Sequence, residues 1–235
     1  MDAYFERIAQ DVNVGLAHAG FGNDISGVVA GNALWRMSEA RWVQTFRDCL
    51  ESPDRSHLVR AAVAFDFRHV AGGLEITPPL VTVLRDAPAH PGFLAQLART
   101  ATDAPPALPH RFFASRWERQ EVDLKKGGVV PIANLARFHA LANGITISAT
   151  LDRLVAAEAL GAINKETAQS LREAFAIICQ VRLDHQAQQI RGGLKPDNLI
   201  RPEGLAPLAR AELREAFSAI GRAQQQLNRF VPPGI

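Results

Sequence analysis

From Pro131 to Phe230 the chain carries apolar rows at helical spacing between start and stop signals, and this pattern limits most of what it can fold into. Pro131 suits the first turn of a helix over Ile132 to Asn143, which closes at Gly144. Thr150 reads as the cap of a helix to Leu160, closed by Gly161. Asn164 reads as the cap of a long helix to about Ile190. Glu166 falls in its first turn, where the macrodipole favours a carboxylate, and its apolar row is Leu171, Phe175, Ile178 and Val181. The last helix, Pro207 to Phe230, carries Leu213, Phe217, Ile220 and Leu227 at near-heptad spacing. Stripes of this kind must cover one another, so this part of the chain predicts a four-helix-type bundle.

The earlier part reads differently. Ala3 to His18 has Phe5, Ile8, Val12 and Leu16 at helical spacing, with Gly20 and Gly22 after it. Ser26 to Ala30 is a short strand candidate, Gly31 and Asn32 mark a turn, and Ala33 to Leu50 predicts a helix with Trp35, Trp42, Phe46 and Leu50. The stretch Ala61 to Gly73, AAVAFDFRHVAGG, then reads as a strand. Alternation would place Asp66 and Arg68 on one face and Phe65 and Phe67 on the other. Helix, strand, helix, strand suggests a small α/β unit, although two strands and two helices bury little surface alone.

Prolines 88, 91, 105, 106 and 109 break the middle of the chain, with a helical piece at Phe93 to Ala101 and an extended arm or short strand within Arg111 to Leu124. Ala104 to His110 is the best linker candidate, and a boundary near Gly73 is also defensible. The expectation is α+β, mostly α: residues 1–75 as an α/β unit and residues 76–235 as a helical domain.

Composition excludes several classes. At 235 residues and 47% apolar content the chain can bury a core, and its net charge of +2 is too small an excess to argue for nucleic acid. Its two cysteines, Cys49 and Cys179, lack neighbours at metal-ligand spacing, which fits a reduced, cytoplasmic setting. No run approaches the roughly 20 apolar residues of a membrane span.

Polar residues interrupt the helical stripes. Arg182, His185 and Gln186 share a face just beyond the apolar row of the long helix, Gln224 takes a seam position of the last helix, and Asn134 and Arg137 lie one turn apart after Asp123, Lys125 and Lys126. Each reads singly as a solvated face or a satisfied core polar group; together they could line a polar pocket. The segment LKPDNLI, Leu194 to Ile200, has the look of a protein-kinase catalytic loop, but Gly193 stands where the catalytic aspartate would be, and the other kinase motifs are missing. It reads as an interhelical loop.

FDFRHVAGG, followed by DLKKGGVVPIANLARFHAL, TLDRL, VRLDHQ and a last helix with AQQQL, resembles the C-terminal part of nucleotidyltransferases related to bacterial PII-protein uridylyltransferase. The likeness runs from YFERIA at Tyr4 through Asn32 and Trp35 to Phe230, and it is most specific from Asp123 to Arg137 and in RLDHQ. It implies part of a polymerase-beta-like nucleotidyltransferase core followed by a helical substrate-binding domain, in signalling proteins that transfer a nucleotide from a nucleoside triphosphate to a protein or small acceptor. By the same likeness Asp66 would be the third catalytic carboxylate and a ligand of Mg2+. Arg68, Lys125, Asn134, Arg137, Arg182, His185 and Gln186 would bind nucleotide or substrate.

The Gly-Ser turn and the Asp-x-Asp pair of the family are not found in this sequence, and a lone Asp66 cannot assemble a two-metal site. The expectation is therefore a C-terminal portion that is inactive alone and lacks part of the catalytic motif. An alternative is a non-catalytic regulatory or protein-interaction module of a bacterial signalling protein, in which Asp66 is an ion-pair member and a homodimer through the bundle is allowed. On the enzyme reading, Asp66→Asn would leave folding almost intact.

Overall fold

The computed structural model describes residues 2–22, 27–53, 63–103, 105–107 and 117–228. The chain divides into two compact units, residues 1–47 and 48–235, with the boundary inside one helix.

In the first unit, α1 (Asp2–His18) matches the expected helix. Ser26 and its neighbours lie outside the described residues, and residues 27–30 form no strand. The Asn32 side chain organises this stretch instead: its Nδ2 donates to the Gly27 carbonyl at 3.0 Å, and its Oδ1 accepts from the Leu34 amide at 3.1 Å. These local bonds compete with helix formation, so α2 (Glu39–Glu51) begins six residues later than Ala33. It starts where Ser38 Oγ accepts from the Arg41 amide at 3.3 Å. Trp42 packs between Trp35 and Phe46, with ring centroids 6.1 Å from each.

In the second unit, Ala61 and Ala62 lie outside the described residues, and the rest of the expected strand is absent. Residues 63–64 are helical, 65–66 form a turn, and 67–73 are irregular. A strand needs a neighbour for its backbone donors and acceptors. Among the described residues the only pairing is elsewhere, where β1 (Val122–Asp123) runs antiparallel to β2 (Leu199–Ile200). The fold is α+β and mostly α, and the α/β unit expected from the first seventy or so residues does not form as such among the described residues.

α3 (Thr77–Arg85) was hidden by its own prolines. Pro78 and Pro79 open the helix, where missing amide donors cost nothing, and Leu80, Val83 and Leu84 are buried. α4 (Pro91–Asp103) contains the expected helical piece. α5 (Val130–Leu141), α6 (Thr150–Ala159), α7 (Lys165–Arg191) and α8 (Pro207–Asn228) follow the sequence reading to within a few residues. Asn164 caps α7, its Oδ1 accepting from the Thr167 amide at 2.8 Å; α6 is preceded by Ala149, so Thr150 is its first helical residue and not its cap. α7 lies along α8, α5 packs against α4 and α6, and one core joins them through Leu135, Leu154, Leu171, Ile178, Phe217 and Ile220.

Between β1 and α5, Lys125–Val129 forms a π-helical turn. Asp123 Oδ1 starts it by accepting from the amides of Lys125 and Lys126, both at 2.9 Å. The turn then passes into the α7–α8 seam. A Cβ on Gly128 would sit 2.9 Å from two side-chain atoms of Ile178 and 3.3 Å from the Phe217 ring, both side chains being fully buried. The paired glycines of the DLKKGG block are thus set by packing. Gly128→Ala is expected to destabilise the fold by about 1–3 kcal/mol through overpacking; urea unfolding would show a lower midpoint at unchanged slope.

Candidate functional site

Two guanidinium groups from different helices meet one carboxylate. Arg137 on α5 grips Asp66 with two donors, Nε at 3.2 Å from Oδ1 and Nη2 at 2.5 Å from Oδ2. Arg153 on α6 brings Nη2 to 2.6 Å from Oδ1. Each arginine is held in turn: Arg137 Nη1 donates to Asn134 Oδ1 at 2.7 Å, and Arg153 Nε donates to the Ile147 carbonyl at 2.6 Å. Asn134 Nδ2 reaches the Thr100 carbonyl in the last turn of α4 at 3.4 Å. Arg153 is 0% and Arg137 5% exposed, whereas the Asp66 side chain keeps 29% of its surface in solvent. Arg153 Nη1 is buried without a hydrogen-bond partner.

Burial pushes the Asp66 carboxyl up, but the hydrogen bonds and charges of Arg137 and Arg153 outweigh it and hold the group below its ordinary value. Burial likewise lowers Arg153, opposed by its contact with Asp66. The cluster therefore carries two positive charges and one negative. This environment does not fit a magnesium ion on Asp66: both oxygens already face guanidinium groups, and no group of three or more His, Cys, Asp or Glu able to hold a metal occurs among the described residues.

A second polar network lies at the far part of α7. Arg182 Nε donates to Asn198 Oδ1 at 2.6 Å, and His185 Nε2 lies 3.0 Å from Asp197 Oδ1. Gln186 Nε2 reaches the Asp197 carbonyl at 3.0 Å and Asn198 Oδ1 at 3.2 Å. The His185 contact, with the Leu199 amide, holds the exposed Asp197 carboxyl below its ordinary value. These residues brace the LKPDNLI loop. Asn198 in turn accepts from the Leu124 amide at 2.9 Å, extending the β1–β2 pair. Among the described residues no hydrogen bond or ion pair joins this network to Asp66. Lys125 and Arg68 are exposed. Gln224 is structural, its Nε2 donating to the Ala101 carbonyl at 2.9 Å.

The chain matches two family descriptions: "Putative nucleotidyltransferase substrate binding domain" over residues 91–231, and "Putative nucleotidyltransferase" over residues 1–56. The chain belongs to this nucleotidyltransferase family. No curated protein and no solved structure matches it.

The cluster draws on both a matched span and the residues between the two. Arg137 and Arg153 stand on helices of the substrate-binding domain, while Asp66 comes from the connecting residues between the two matched spans. Of the expected site residues, Asp66, Asn134 and Arg137 meet in one place; Arg182, His185 and Gln186 meet in another. Arg153 was not singled out from the sequence. Its signal was present, since Arg153, Leu154 and Ala157 all fall on the buried face of α6, an apolar row with one cation in it.

The expectation that Asp66→Asn spares folding is corrected by this geometry. The variant leaves two buried cations without a counter-charge, and a loss of about 3–5 kcal/mol at neutral pH is expected. Because the folded-state value of Asp66 lies below the ordinary value near ~3.9, its contribution is complete above that pH and is lost as pH falls through the folded value. Urea unfolding of both forms from neutral to acidic pH should show their difference shrinking only at the acid end.

Proposed function

We propose that this chain is the substrate-recognition part of a nucleotidyltransferase of bacterial signal transduction, acting in the cytoplasm on a nucleoside triphosphate and a protein or small-molecule acceptor. The observation that carries the reading is that both family spans lie on one chain, with two buried arginines converging inside the substrate-binding span. Nucleotidyl transfer needs positive groups that position phosphates and offset their charge, and planar guanidinium forks on rigid helices meet that need. Magnesium, where the transfer uses it, neutralises charge on the phosphates. In this reading Asp66 is an ion-pair partner and not one of the carboxylates that hold the metal. Lys125 and Arg68, exposed cations, remain free to meet the acceptor or the phosphates.

A second reading, a regulatory or protein-interaction module, is favoured by α1. Its apolar residues Tyr4, Phe5, Ile8, Val12 and Leu16 are all between 40% and 55% exposed. Such a face suits a partner protein or a second copy of the chain.

Calorimetric titration of ATP, UTP and GTP, with and without magnesium, separates the two. Heat with at least one nucleotide is expected. Its absence with all three under both conditions overturns nucleotide recognition by this chain, and a mass that rises with concentration in sedimentation would then support the interaction module.

A further inference from the structure

We propose that Arg137 and Arg153 form a phosphate-binding site that the Asp66 carboxylate occupies as an internal stand-in, so that an incoming phosphate group must displace Asp66. Four observations carry this. The two guanidiniums are buried on different helices, yet their donors converge on a single anion. Their charges exceed that of the carboxylate by one; Arg153 Nη2 meets Asp66 at 2.6 Å as an ion pair without hydrogen-bond geometry, and Nη1 is left buried with no acceptor. A phosphate dianion supplies both what is lacking in charge and a further oxygen, whereas another carboxylate supplies neither.

Of the three side chains Asp66 is also the one most open to solvent, 29% exposed against 6% for Arg137 and 1% for Arg153. Finally, the stand-in belongs to the connecting residues and not to the matched domain that provides both arginines. Phe65, 1% exposed with its ring 5.9 Å from that of Phe93, anchors the backbone beside it. Displacement therefore asks only the Asp66 side chain to turn away. The consequence is an autoinhibitory contact: ligand affinity is reduced by the fraction of time Asp66 fills the site.

This inference rests on the substrate-binding reading only for the source of the phosphate, and inorganic phosphate tests the site itself. The first measurement uses the intact chain. The Nε–H resonances of Arg137 and Arg153 are followed by NMR during titration with sodium phosphate, against sodium chloride at matched ionic strength. Saturable shifts with phosphate alone are expected; identical responses to both salts overturn the proposal.

The second compares thermal stability in phosphate for the intact chain, for Asp66→Asn and for Asp66→Asn with Arg153→Met. Removing the stand-in should tighten phosphate binding by at least about tenfold, seen as a larger rise in midpoint with phosphate, and Arg153→Met should abolish the gain. An Asp66→Asn chain that phosphate neither stabilises nor folds overturns it. Parallel titrations distinguish the sources: UTP or ATP binding more tightly than phosphate identifies a nucleotide, and equal affinities identify the phosphate of a phosphorylated acceptor. Failure of nucleotides with success of phosphate leaves the site standing and removes only the nucleotide.

Discussion

Two guanidinium ions cannot be buried without a counter-charge, and much of the second unit is arranged around that requirement. An unpaired buried cation costs several kcal/mol even after relaxation. Arg137 and Arg153 meet the requirement through Asp66, which gives an otherwise irregular segment a defined position beside α5 and α6. The same side chains reach further. Arg153 fixes the loop before α6 through the Ile147 carbonyl, and Arg137, through Asn134, reaches the last turn of α4. One ion cluster thus ties three helices and a turn together. The match is imperfect, with two cations to one anion; Glu118 with Arg210 and Arg214 has the same ratio, and it is the near-complete burial of Arg137 and Arg153 that sets this cluster apart.

The other polar network is different in kind. Arg182, His185, Gln186 and Gln189 satisfy the polar groups of Asp197 and Asn198, and every one of these contacts holds the loop after α7 against that helix. The loop in turn supports the start of the π-helical turn, whose glycines let the backbone enter the α7–α8 seam. The two most specific blocks of the sequence, DLKKGG and RLDHQ, are therefore partners in one piece of architecture. Polar residues at helical spacing beyond an apolar row suggest a pocket; in the structure their side chains are bonded to the loop after α7.

The family description that matches the helical domain is that of a substrate-binding domain, and it names no substrate. Chemistry narrows it. The basic groups that a phosphate would need are on the rigid helices, and the carboxylate that faces them comes from outside the matched domain. On the proposed phosphate-site reading, the connecting residues compete for the site they adjoin.

Periodicity and punctuation by themselves determined the four helices from Val130 onward, the Asn164 cap and α1, because an amphipathic stripe has one stable outcome whatever it packs against. Gln224 in an apolar seam was legible as a buried polar group for the same reason. Tertiary structure alone decided the rest. A run such as VAFDFR suits a strand only if another strand lies alongside; among the described residues none does, and Phe65 and Asp66 form a turn. The meeting of Asp66 with Arg137 and Arg153 spans 71 residues in one case, and no local spacing encodes which buried cation a distant carboxylate will reach. That choice is made when the helices close, since only then does desolvation make an unpaired charge too costly to leave.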